Sequence, residues 1–385
     1  MSTWDAIVIG AGYIGCSISY YLSRAGLRVL LLDQGGIGVG ASSANYGNIQ
    51  VQDAELEYSL PMVLAGKACF NTLSEELESD LELRTLGCLL IAEKESHIAA
   101  LKDRAVKLRA AGVEAAWLNR DELHKVEPNL AVEQTFGALF NPDEMQLNPF
   151  KLMWAFVYQA QKQGCVVQTN SPVRGFILEN GRLLGVQTDQ GQQYAAVTIL
   201  ATGAWSKQLG KQLGIHIPVS HVHGQAAVIG FVGHILRNYL SSAAFFEEAH
   251  SDEGHARLSA TLAIAPTAHG NLLLGEASEV VDHFSQESSP EGIRAISQVA
   301  LRYLPALGSA NILRSWGAPA AFTADGRPYL GPVDDLEGLF LAVAFKSTVV
   351  ITPLIGRVIT QLIMEGQTEL DIRPYLLSRT APPPR

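Results

Sequence analysis

Apolar residues recur along this chain in two rhythms: runs of four or five that suit strands, and three-to-four spacings that suit one face of a helix. Residues 5–9 form a β-prone run and residues 28–32 the next, while Ile14, Ile18, Leu22 and Ala25 between them recur at helical spacing. Gly26 stands where a left-handed cap ends such a helix. The opening of the chain therefore predicts a strand, helix, strand crossover, which makes its two strands parallel. Residues 95–111 predict an amphipathic helix with Ile98, Leu101, Ala105 and Leu108 inward and Gly112 as its stop. A further helix is expected over 149–163, with Pro149 in its first turn and Gly164 after its end, feeding a strand over 165–169.

Between 173 and 202 three β runs are divided by Asn180-Gly181 and Gln190-Gly191, the pattern of a meander of hairpins. The last run, 197–201, is continuously apolar and suits a strand covered on both faces. β signals return between 224 and 280, and 292–304 predicts a helix. A strand over 339–344 then leads into a helix opened by Thr352 and Pro353 and ended by Gly366.

Composition narrows the class. The chain has 385 residues, 48% hydrophobic and 17% charged, which predicts a well-buried globular protein of two domains. A formal charge of -10 without any run of Lys or Arg argues against a nucleic-acid partner. The four cysteines, 16, 69, 88 and 165, form no Cys-x-x-Cys pair, so neither a disulfide framework nor a zinc site is expected, and a reducing cytoplasm fits. His216, His221 and His223 have no carboxylate or cysteine to complete a metal set, and no metal site is expected. The N-terminus lacks a signal-peptide pattern. The most apolar late segment, 339–363, is broken by Lys346, Pro353, Gly356 and Arg357, so no transmembrane segment is expected.

The candidate chemistry begins at Gly10-Ala11-Gly12-Tyr13-Ile14-Gly15, a Gly-x-Gly-x-x-Gly motif set between a predicted strand and a predicted helix. Gly10 allows the tight turn, Gly12 lets backbone amides approach a pyrophosphate, and Gly15 lets helix and strand pack closely. The partial positive charge of the helix N-terminus attracts the anion inside an otherwise acidic protein. Asp33 ends the second strand, where a carboxylate accepts hydrogen bonds from a ribose, and Gln34 follows it. The motif alone leaves NAD and FAD open. Residues 35–48, rich in Gly and Ser, stand where a nicotinamide dehydrogenase continues its second unit, and they favour a loop that wraps a longer cofactor, with Ser42, Ser43, Tyr46, Gly47 and Asn48 as candidate contacts.

Taken with Val173, Ala201-Thr202-Gly203-Ala204-Trp205-Ser206, Gly224-Gln225 and residues 316–332, these segments resemble the D-amino-acid oxidase superfamily of FAD enzymes, most nearly its glycine oxidase and sarcosine oxidase branch. The resemblance covers essentially the whole chain. It implies an α/β fold: a Rossmann-like FAD-binding domain of the GR2 type over 1–82, 146–222 and 308–385, and a discontinuous α+β substrate domain on a mixed or antiparallel sheet over 83–145 and 223–307. It places the adenine at Val173 and closes the strand end Ala201, Thr202 and Gly203 over the cofactor, followed by Trp205. Gly317 is added from the late strand, and Lys346, Ser347, Thr348, Val349, Val350 and Ile351 lie beneath the pyrimidine ring of the flavin. Lys346 is also the candidate catalytic residue, a cation able to hold a carboxylate or a flavin oxygen. The cysteine used for covalent attachment in one branch would fall near Pro319 and is absent, so FAD is expected to be non-covalent.

The implied chemistry is hydride transfer to flavin N5 from the carbon next to an amine, giving an imine that water hydrolyses. Several positions depart from the family pattern. Ala320 stands where relatives carry a carboxylate-binding Arg, Ala263 replaces a substrate-strand Tyr, Ala344 a His, and Thr348 a Gly. A more apolar, larger pocket implies a bulkier substrate, such as an N-substituted amino acid or opine. The FAD subunits of hetero-oligomeric opine, proline and sarcosine dehydrogenases are similar in layout and imply partner subunits. A stand-alone glycine, sarcosine or D-amino-acid oxidase, a homo-oligomer, and a flavin-holding subunit inactive without its partner are the alternatives, and oxidase against dehydrogenase stays open at this stage.

Overall fold

A computed structural model describes residues 3–244 and 258–380. Its first sheet is organised around Thr3–Ile9, which pairs in parallel with Val29–Leu32 on one side and Gly191–Leu200 on the other. Val166–Gln168 extends the parallel set beyond Val29–Leu32, and Leu339–Val343 joins it beside Gly191–Leu200. Both faces of this sheet are covered, as the near-continuous apolar runs require. Ala6 and Val8 join one hydrophobic cluster, while Ile7 and Ile9 join another on the opposite face. The meander forms as three antiparallel strands, Val173–Glu179, Arg182–Thr188 and Gly191–Leu200. Its first turn holds Asn180 and Gly181 at φ of 49° and 79°, the left-handed pair that a tight hairpin favours.

The crossover helix is Tyr13–Arg24, with Gly26 left-handed behind it at φ 88°. It packs between helices Pro149–Lys162 and Thr348–Glu365. The last of these begins at Thr348, four residues before the expected Thr352-Pro353 start, and carries Pro353 inside it. Tertiary contacts explain the difference. Ser347 adopts a left-handed conformation and reverses the chain immediately before the helix. The Thr352 hydroxyl donates to the Thr348 carbonyl, and the Thr352 carbonyl accepts from Ser17, so this turn is stitched to helix Tyr13–Arg24 despite the missing proline N–H. Among the described residues, Thr348–Glu365 is the one helix long and apolar enough to cross a membrane. Its apolar face packs on Tyr13–Arg24 and Leu60–Glu76.

The second sheet runs in the order Ile312–Phe322, Ser220–Ile229, Leu272–Val280, Ser259–Pro266, Tyr239–Ser242, Cys88–Ile91, Ala138–Asn141, Ala116–Leu118. Helix Pro290–Tyr303 covers one face through Ile296, Ala300 and Tyr303. Ile312–Phe322 pairs along the whole of Ser220–Ile229. Residues 312–322 therefore build this sheet, although the sequence places them with the dinucleotide unit. The helix expected over 95–111 is His97–Ala110, with Leu101, Ala105 and Leu108 buried and Ile98 half-buried.

A small sheet of Asn48–Ile49, Met145–Gln146 and Arg84–Thr85 lies where the two large ones meet. Just before Met145, the buried Glu144 carboxylate accepts from the amides of Val51 and Gln52 and from Asn141 Nδ2, at 2.8 to 2.9 Å. Burial pushes its carboxyl up to about 7, and Glu127, which accepts from Arg237 N, is pushed up to about 7 by the same cause. In the unfolded chain these groups titrate near the ordinary 4.5. Between those values the native state holds protons that the unfolded state has released. Stability therefore falls as pH rises from about 4.5 to 7, by on the order of 3 kcal/mol for each group, and levels off above. Urea unfolding at pH 5, 6, 7 and 8 is expected to show this fall in the native chain and a shallower one in Glu144→Gln; parallel profiles would contradict the assignment.

Candidate functional site

A cleft of about 880 Å³ opens at the carboxyl ends of the parallel strands and runs toward the second sheet. This is the ordinary place and size for a ligand site in such a fold. Its floor is the turn between Thr3–Ile9 and helix Tyr13–Arg24. Gly10 takes φ 105°, and a Cβ there would lie 2.4 Å from the Ala201 carbonyl oxygen. A Cβ on Gly15 would lie 1.8 Å from the Gly10 carbonyl oxygen. The three backbones meet at distances only glycine allows, and their approach aims the helix N-terminus into the cleft. Gly12, at the N-cap, offers no side-chain cap, and Tyr13 N donates to Ser42 Oγ at 3.2 Å. The amide end of the helix faces the cleft, where its partial positive charge attracts an anion.

Asp33 lines the cleft at the end of Val29–Leu32. Its two carboxylate oxygens accept from the amides of Ala11 and Gly35, each at 2.7 Å. Burial pushes its carboxyl above the ordinary value, and the two amides pull it back. Gln34, Val173 and Arg174 stand at the same end. At the middle lie Ala201, Thr202, Gly203 and Trp205. The Trp205 ring stacks on Phe284 at 5.1 Å, and Phe284 on His221 at 4.5 Å, which brings a segment of the second sheet to the rim. The far end is formed by Pro319, Ala320, Ala321, Ala344, Phe345 and Thr348. Ala344, at φ 61°, and Ser347, at φ 49°, hold the turn there in the left-handed region, a strain of about 1 kcal/mol each that clusters at sites.

Of the residues the sequence singles out, Gly10, Gly12, Tyr13, Ile14, Asp33, Gln34, Ser42, Val173, Ala201, Thr202, Gly203, Trp205 and Thr348 line this cleft. The others serve its frame. Ala11 is buried behind the turn, and Gly15 packs on Gly10. Ser43 donates to the Gly40 carbonyl. Gly47 and Asn48 hold the small sheet, and Tyr46 packs against Cys88, Tyr239, Ala263 and Ala265. Gly317 faces away, its amide on the Gln286 carbonyl and its Cα against His223. Val349, Val350 and Ile351 point into the core. Lys346 stands beside the far end rather than in the lining, its Nζ 3.8 Å from Glu55 Oε1.

Sequence reasoning passed over Gln208, Gln212 and Gln286, which also line the cleft. The first two lie one helical turn apart just after Trp205, a spacing that puts both on one face and was available to find them. Gln286 carries no such signal, because only the fold brings it there. Of all the lining residues only Asp33 and Arg174 are charged, both at the Val173 end. Among the described residues no group of three His, Cys, Asp or Glu side chains is placed to hold a metal ion.

These features fit a dinucleotide with an extended second half: a cleft of about 880 Å³, a helix N-terminus facing it, a carboxylate at the end of the second strand and an apolar far end. Known proteins agree. Glycine oxidase of Geobacillus kaustophilus is 27% identical over 387 residues, covering 98% of this chain and 97% of that protein. Its crystal structure superposes with a TM-score of 0.90 at 25% identity, over 99% of this chain and 100% of that one. Hydrogen cyanide synthase subunit HcnC of Pseudomonas aeruginosa is 26% identical, covering 99% of this chain and 97% of that protein. L-proline dehydrogenase from P. horikoshii shares the fold, with a TM-score of 0.87 at 24% identity and 98% of both chains covered. The family model described as FAD dependent oxidoreductase matches residues 5–362, and the chain belongs to that family of FAD-dependent enzymes.

Proposed function

We propose that this chain oxidises the C–N bond of an N-substituted amino acid or opine, using non-covalent FAD, and that it works as the flavin subunit of a larger assembly. The observation that carries the substrate half is the apolar far end of the cleft. Ala320, Pro319, Ala321 and Ala344 stand there, and among the described residues no charged side chain lines it. A small amino acid is oriented largely through its carboxylate, for which a guanidinium fork is the usual partner. Without one, orientation falls to apolar contacts, and these favour a substrate with a second substituent to bury. Lys346, beside this end, already faces Glu55.

When bound, FAD supplies a two-electron acceptor for the hydride on the carbon next to the amine. The chain's own residues do the rest. The amide end of helix Tyr13–Arg24, approached over Gly10 and Gly12, would hold the pyrophosphate, and Asp33, Gln34 and Val173 would face the adenosine half. The apolar end excludes water around the reacting carbon, while the Lys346–Glu55 ion pair stands beside the turn before Thr348. The assembly half is supported by the relative that is named as a subunit of hydrogen cyanide synthase. Four buried free cysteines fit a reducing compartment.

Two outcomes test this reading. In Gly12→Val the branched side chain meets Ser42 Oγ, which lies 2.8 Å from the position of a Cβ, and fills the approach to the helix amides. The variant is expected to fold and to purify without flavin; flavin retained at the native level, measured by absorbance of the released cofactor, would refute the placement. Ala320→Arg restores a fork at the apolar end. We expect its rate of anaerobic flavin reduction by glycine or sarcosine to rise about 10- to 100-fold over the native chain, the worth of one charged hydrogen bond. An unchanged preference would show that Ala320 does not set the substrate.

A further inference from the structure

Helix Pro149–Lys162 buries one face against Tyr13–Arg24 through Leu152, Met153 and Phe156. Its other face does not become polar. The exposed positions are Phe150, Trp154 and Tyr158, followed only at the end by Gln161 and Lys162. The three rings are 44%, 56% and 62% exposed. Spaced four residues apart, they form a single stripe about 12 Å long on the helix surface. Isolated surface aromatics need no explanation, but a continuous stripe of three marks a contact surface.

We propose that this stripe is a two-fold interface with a second copy of the same chain. The stripe is its own complement. About a two-fold axis through Trp154, the helices run antiparallel, Trp154 meets Trp154, and each Phe150 meets a Tyr158 of the other copy. Charges at the two ends agree with that arrangement. At the Phe150 end Lys151 bridges Asp80 at 3.2 Å and Glu82 at 3.0 Å, leaving two carboxylates around one cation, with Asp80 81% exposed. At the Tyr158 end Lys162 sits over the Tyr158 ring and bridges Glu78. Antiparallel docking brings the net negative Lys151, Asp80 and Glu82 cluster of one copy toward the neutral Lys162–Glu78 pair of the other, at both ends at once, so no like-charged ends meet. The mixed signs disfavour an anionic membrane or nucleic acid as the occupant, since each needs a clustered positive surface. Rings of roughly 200 Å² each, about half exposed, contribute roughly 300 Å² per copy, the apolar centre of an interface near 800 Å² per partner. The charged ends supply the rim.

The flavin-loaded chain alone, in sedimentation-velocity runs from about 1 to 100 µM, is expected to approach a mass twice its 41.5 kDa. Trp154→Glu and, separately, Tyr158→Lys are expected to weaken that dimer at least tenfold while keeping the native circular dichroism and flavin content. Neither residue lines the cleft, so flavin retention reports folding independently of association. A native chain that stays monomeric throughout, including one that associates only with a different polypeptide, overturns the proposal. So does a dimer that persists in both folded variants.

Discussion

The structure depends on one close approach: the strand end at Gly10, the helix turn at Gly15 and the neighbouring strand end at Ala201 meet at backbone contact distance. No side chain fits there. That contact fixes the helix Tyr13–Arg24 with its amide end open to the cleft, and it sets the spacing at which Asp33, Ser42 and Thr202 surround the same space. An acidic chain can hold an anionic cofactor only through such local arrangement, because its net charge repels the ligand at longer range.

Around that point the two sheets divide the work. The parallel sheet, apolar on both faces, is a rigid floor. The second sheet delivers its edge strand Ile312–Phe322 to the far end of the cleft, and with it Pro319, Ala320 and Ala321. These residues are therefore carried on a strand, where backbone pairing with Ser220–Ile229 holds them in register. A side-chain change at such a position alters the lining of the cleft and leaves the scaffold in place.

Much of this was legible in the residues. The crossover unit, the meander with its Asn180-Gly181 turn, and the helix after Pro149 follow from periodicity and turn chemistry, which are local. The floor of the cleft and its Asp33 end follow from motif and context. What the sequence misplaced depended on tertiary packing. Pro353 reads as a helix start, yet burial against Ser17 and Tyr21 carries the helix through it. Val349, Val350 and Ile351 read as cofactor contacts, yet the one-residue reversal at Ser347 turns them into the core and leaves Thr348 at the cleft. Gly317 reads as a site residue because it sits in a matching segment, although His223 and the Glu287 carbonyl close over it. Gln286 could not be found without the fold.

The proposal turns on an apolar chamber, rather than a carboxylate anchor, at the far end of a flavin scaffold. The most direct measurement is anaerobic reduction of the bound flavin, followed by loss of its visible absorbance, with a set of N-substituted amino acids and opines set against glycine and sarcosine at equal concentration. The account predicts rapid bleaching by at least one bulky N-substituted substrate and slow or no bleaching by glycine and sarcosine; the reverse order, or a chain that binds no flavin at all, would contradict it.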